Sequence, residues 1–146
     1  MDDLNSGIYL LNIYLKDDQI INTGALGKIK YKKGYYFYIG SAQRNLKARI
    51  KRHLSKDKNF HWHIDYLLDN AKIVEYAIFN AKKSLECKLF QCLKNNKIFD
   101  VPIEGFGSSD CSCKSHLLYS KEKVDLTRRL KQVEQEFRII KPGVKN

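Results

Sequence analysis

Residues 7–15, GIYLLNIYL, are rich in Ile, Leu and Tyr and predict a first buried strand. Asp17-Asp18 makes a turn, and residues 19–22 and 28–31 predict the arms of a hairpin around Gly24-Ala25-Leu26-Gly27. Lys32-Lys33-Gly34 then leads into Tyr35-Tyr36-Phe37-Tyr38-Ile39, an aromatic and β-branched run that predicts a half-buried strand. Gly40 is expected to break it at a turn. From Leu46 the period changes, because Leu46, Ile50 and Leu54 recur on one face of a helix.

Downstream, residues 60–70 (FHWHIDYLLDN) place Trp62, Tyr66 and Asp69 at helical spacings and predict a short helix. Residues 72–79, KIVEYAIF, predict a strand. Ser84 is placed as the N-cap of a helix with Leu85, Leu89, Cys92 and Leu93 in one stripe and Glu86 beside it. Residues 98–101 read as a short β-like segment, 102–110 as a loop and 117–119 as a strand. A last helix is predicted over residues 122–140, where Leu126, Leu130, Val133 and Phe137 share a side. The sum is an α+β domain: a small central antiparallel sheet flanked by helices, with an extra N-terminal hairpin.

Composition narrows the partners. The 146 residues fit a single domain over residues 1–146, and 43% hydrophobic content fits a folded globule. A net charge of +11 points to a polyanion, with nucleic acid first. Between Lys28 and Lys58 many lysines and arginines face a single acid, Asp57, so the excess is concentrated around the basic helix. No apolar run reaches the roughly 20 residues that span a bilayer, and Met1-Asp2-Asp3 lacks the blocks of a signal peptide. The expectation is a cytoplasmic protein, without a membrane partner, whose four cysteines are reduced thiols.

Gly7-Ile8-Tyr9 and Tyr38-Ile39-Gly40 stand in order on two predicted strands, followed by NLKARIKRH with Leu46, Arg49 and His53. Each tripeptide alone is weak evidence, but the ordered set resembles the GIY-YIG nuclease superfamily. More narrowly, the segments GSA, HWHIDYLL, Glu86-Cys87 and FGSSDCSCKSHL are similar to a branch of small uncharacterised archaeal and bacterial proteins. In typical GIY-YIG members a short turn joins the two motifs; here residues 10–37 intervene, with an added hairpin that is expected to lengthen the sheet.

The resemblance implies a GIY-YIG-like fold and an endonuclease that hydrolyses phosphodiester bonds in DNA, ahead of RNA, in repair or recombination. It also implies Mg²⁺ or Mn²⁺ on Glu86, a hard cation on an oxygen ligand. Tyr9 would activate water with help from Tyr38 or His53, which requires nearby Arg49, Lys47 or the metal to favour phenolate. Arg49 would bind the scissile phosphate, and Lys47, Lys51 and Arg52 would add contacts along the nucleic-acid backbone. The alternative is a non-catalytic nucleic-acid-binding module that retains the fold.

A second cluster remains beside this set. His61, His63 and Asp65, with Cys111, Cys113 and His116, are ligand types that Zn²⁺ accepts, although the spacing is not that of a standard zinc knuckle. The same residues, set against a Gly-Ser-Ser-Asp loop, equally describe a polar pocket or a structural zinc site in an interaction domain.

Overall fold

A computed structural model describes residues 5–107 and 115–142. Strand β1 (Gly7–Leu15) lies at the centre of a five-stranded antiparallel sheet. On one side it pairs with β4 (Gly34–Ala42), which pairs in turn with β6 (Leu117–Ser120). Its other neighbour is β5 (Lys72–Phe79), whose outer edge carries β7 (Phe137–Ile140). Both faces of β1 are covered, which explains a nearly unbroken apolar run where a one-sided sheet would show alternation.

The period-2 rule divides that run between two cores. Tyr9, Leu11, Ile13 and Leu15 face one side, where they meet Leu46 and Ile50 of α1 (Leu46–Leu54) and Ile64 and Leu67 of α2 (His63–Leu68). Ile8 and Leu10 face the other, against Leu89, Phe90 and Leu93 of α3 (Leu85–Lys94) and Leu126 and Leu130 of α4 (Leu126–Leu130). The fold is therefore a mixed α+β layer arrangement, as its patterning predicts. Among the described residues no helix is long and apolar enough to cross a membrane.

The predicted hairpin forms as β2 (Gln19–Asn22) and β3 (Lys28–Tyr31), joined by a 3₁₀ turn. It does not lengthen the main sheet. The two strands pair only with each other, and Ile21 and Tyr31 pack them onto the α1/α2 side of the core.

The expected C-terminal helix is the largest correction. Helix α4 stops at Leu130, a 3₁₀ turn follows, and Glu134 turns the backbone left-handed at φ 58°. Beyond it, Phe137-Arg138-Ile139-Ile140 adds to the free edge of β5. The spacing of Leu126, Leu130, Val133 and Phe137 fits a helix by coincidence, and a β-branched segment beside an unpaired strand edge gains ladder hydrogen bonds instead.

Smaller corrections also have local causes. Gly40 does not turn the chain but lies within β4, opposite Tyr9. On α1 the third buried position is His53, while Leu54 is 39% exposed. Helix α2 begins only at His63, because the Asp65 carboxylate accepts from the backbone N–H groups of His61 and Trp62. Ser84 makes no side-chain cap, and Cys92 is exposed whereas Phe90 is buried. Cys87 is disulfide-bonded, so the expectation of four reduced thiols fails there. Residues 98–101 contribute a single bridge, Asp100 to Tyr119.

Candidate active site

The register of β1 on β4 sets the site. Tyr9 sits opposite Gly40 and Tyr38 opposite Leu11, so the two tyrosines share a sheet face on neighbouring strands, with ring centroids 6.4 Å apart. Gly40 is required by this packing, since a Cβ there would lie 2.5 Å from the Tyr9 Oη. Gly107 plays the same part for Tyr38: its φ is +69°, and a Cβ would lie 2.8 Å from the ring.

Helix α1 supplies the next groups from one side. His53, 2% exposed, brings its Nε2 to 2.7 Å from the Tyr9 Oη, and its Nδ1 has no hydrogen-bond partner. One turn earlier, Arg49 donates to the Ser41 carbonyl at 3.0 Å and stacks on Trp62, 4.6 Å from the ring centroid. Trp62 also carries Arg52, at 4.4 Å, so a single indole braces two guanidinium groups.

These side chains border a cleft of ≈ 520 Å³ that Tyr9, Tyr38, Arg49, Glu86, His63 and His116 help to line. Glu86 comes from the first turn of α3 and is 5% exposed. Three residues before Leu89, it sits on the buried side of the helix but at its end, where the apolar contacts give way to the cleft. It is the only carboxylate among the described residues lining the cleft, beside the cations Arg44, Arg49 and Lys83.

Burial dominates the proton affinities. It pushes the Tyr9 phenol up to about 12 against the opposing pull of Arg49, and it pushes Tyr38 well above the ordinary phenol range. Arg49 does favour phenolate at Tyr9, as the nuclease reading requires of a nearby cation, but burial outweighs it. His53 is held down to about 3, first by burial and then by the Lys58 ammonium, so its imidazole is neutral at pH 7.

Some predicted site residues lie elsewhere. Lys47 and Lys51 line a separate groove with Leu54, Tyr76, Ile78 and Ile140. Arg52 is engaged in a bidentate pair with Asp65, 2.9 Å to each carboxylate oxygen, and it donates to the Asn59 carbonyl as well. Burial disfavours the Asp65 charge, but Arg52 and the backbone N–H groups of Trp62 and His61 hold its carboxyl below the usual range.

That pair removes Asp65 from the second cluster. His61, His63 and His116 instead line the same cleft as Tyr9 and Glu86, so two constellations separate in sequence become one. Cys111 and Cys113 lie outside the described residues. Among the described residues no group of three His, Cys, Asp or Glu is placed to hold a metal ion.

Sequence reasoning missed Trp62 as a site residue, whereas Gly107, expected in a polar pocket against His61-Trp62-His63, does line the cleft and donates to His63. A lone tryptophan between two histidines was the available signal.

Residues 8–139, nearly the whole of this domain, match the family described as Domain of unknown function DUF123. The chain belongs to the DUF123 family. No curated protein and no solved structure matches it. Every described residue lining the cleft, from Tyr9 to His116, lies inside the matched span.

Proposed function

We propose that this DUF123 chain is a divalent-metal-dependent endonuclease related to the GIY-YIG nucleases, hydrolysing phosphodiester bonds in DNA during repair or recombination. One observation carries the reading. Tyr9, Tyr38, Arg49 and Glu86, the residues that the resemblance singles out, line a single cleft although they are far apart in sequence.

The donor set fits a hard cation. Mg²⁺ is bound through one or two carboxylates with water completing its shell, and Glu86 offers one carboxylate in a cleft roomy enough for water. When bound on Glu86, Mg²⁺ or Mn²⁺ would stabilise negative charge on the leaving oxygen. Arg49, held by Ser41 and Trp62, offers its guanidinium to the scissile phosphate with little freedom to lose.

Tyr9 and His53 handle the proton. With the phenol at about 12, a free phenolate is a costly intermediate at neutral pH. In a concerted relay, attacking water gives a proton to the Tyr9 oxygen while the Tyr9 proton passes to His53 Nε2 at 2.7 Å. Tyr9 then stays neutral throughout, and the phosphate's negative charge offsets that of the imidazolium.

The second reading is a binding module that keeps the cleft without turnover, and the high proton affinity of both phenols favours it. Incubation of supercoiled, branched and damaged DNA with Mg²⁺ or Mn²⁺ separates the two. Cleavage by the wild type that Glu86→Ala and Tyr9→Phe abolish supports the nuclease. Salt-sensitive binding with no cleavage by any of the three supports the module, and equal cleavage by all three removes the assigned site.

A further inference from the structure

His63 has a feature that neither the tyrosine relay nor the carboxylate uses. The backbone N–H of Gly107 donates to its Nδ1 at 3.0 Å. An imidazole nitrogen that accepts a hydrogen bond carries no proton, so in the neutral ring the proton is on Nε2. The loop thus selects one tautomer.

The ring is also held in place. It packs on Phe106, which is fully buried, with centroids 5.6 Å apart, and Gly107 itself is wedged against Tyr38. Burial lowers the imidazole's affinity for a second proton, which keeps it neutral. Nε2 has no hydrogen-bond partner among the described residues, and the residue lines the cleft. A fixed N–H donor beside Arg44 and Arg49 suits an anionic oxygen.

We propose that His63 donates its Nε2–H to a phosphate oxygen of the nucleic-acid strand held in the cleft. The inference rests on the nucleic-acid reading above. It makes His63 a strand-positioning contact separate from a metal ligand, because a metal would need the Nε2 lone pair that the proton occupies.

Two isosteres divide the ring's roles. Asparagine places an acceptor where Nδ1 is, so His63→Asn keeps the Gly107 bond and loses the donor. Glutamine places an amide N–H near Nε2, so His63→Gln keeps the donor and loses the Gly107 bond. Binding of a short DNA duplex is measured in EDTA, with thermal melts to establish folding. We expect His63→Gln to stay within roughly threefold of wild type and His63→Asn to weaken binding roughly tenfold, the order expected for a hydrogen bond to a charged acceptor.

Wild-type affinity in His63→Asn overturns the contact, as does greater weakening in His63→Gln than in His63→Asn. In either case the nuclease reading stands. A wild type that binds no DNA removes both. Nitrogen-15 spectra of labelled histidine give a readout without nucleic acid: a proton on Nε2 and none on Nδ1 is expected, and the reverse tautomer overturns the inference alone.

Discussion

Two groups of tyrosines are buried in this protein, and they differ in what their hydroxyls meet. Tyr31, Tyr36 and Tyr119 cluster with centroids 5.8 and 4.9 Å apart, while Tyr9 and Tyr38 border the cleft. Burial raises both sets: Tyr31 is pushed up to about 12, like Tyr9, and Tyr36 and Tyr119 rise as well. Each set even has its glycine, since a Cβ on Gly34 would press on Tyr119 at 2.8 Å as one on Gly40 would press on Tyr9. A perturbed phenol therefore does not mark a site here. Partner chemistry distinguishes them.

In the first group the hydroxyls end on groups that cannot act as bases. Tyr36 donates to the Lys32 carbonyl and Tyr119 to the Lys33 carbonyl, each at 2.6 Å, and Tyr31 meets Thr23 at 2.8 Å. Those bonds pin the hairpin and its connection to the sheet. Tyr9 instead meets a neutral imidazole that can take a proton, beside a cleft with a cation and a carboxylate. The same residue type is a fastener at one place and a candidate reagent at the other.

The largest expected effect breaks this contrast directly. Tyr9→Phe is expected to lower DNA cleavage roughly 10²–10⁴-fold, the range for losing a positioned proton-transfer group, while Tyr36→Phe leaves the rate within about twofold. A nicking assay with Mn²⁺ measures both; similar losses in the two variants would dissolve the distinction. Next comes the ion pair that ties α1 to α2. Arg52→Ala leaves the fully buried Asp65 carboxylate with only the Lys58 ammonium at 3.9 Å and the backbone N–H groups of His61 and Trp62, and urea unfolding is expected to show a loss of about 2 kcal/mol.

Glycine substitutions sharpen the comparison further. Gly40→Ala and Gly34→Ala are each expected to cost about 1–3 kcal/mol through overpacking, but only the first should depress cleavage, because it displaces Tyr9. A further effect is one of pH. The His53 value falls from 6.5 to about 3, so the unfolded chain binds the proton first as pH drops. Stability is then full above about pH 6.5 and declines toward pH 3, by up to about 1.4 kcal/mol per unit. His53→Gln should flatten that slope in urea titrations.

Much of this architecture was legible. Strands β1 and β5, the hairpin arms and helix α1 follow from local periodicity, and the order of GIY before YIG places Tyr9 and Tyr38 on strands that prove to be neighbours. The basic helix was read correctly as an element but not in its allegiances. Arg49 faces the cleft, Arg52 is taken by Asp65, and Lys47 and Lys51 border another groove. Helical spacing assigns a residue to a side, yet cannot say which neighbour that side will meet.

The chain's sequence determined by itself the α+β class, the central strand and the identity of the groups available for chemistry. Those depend on short-range patterns, which act between residues a few positions apart. Tertiary structure decided the rest: residues 137–140 became a strand because β5 had an open edge, and Gly40 became a seat for Tyr9 because β1 and β4 pair in that register. It also decided the proton affinities. Burial and approach between distant segments control the cost of a charge, and neither is present until the sheet and its helices close around Tyr9 and His53.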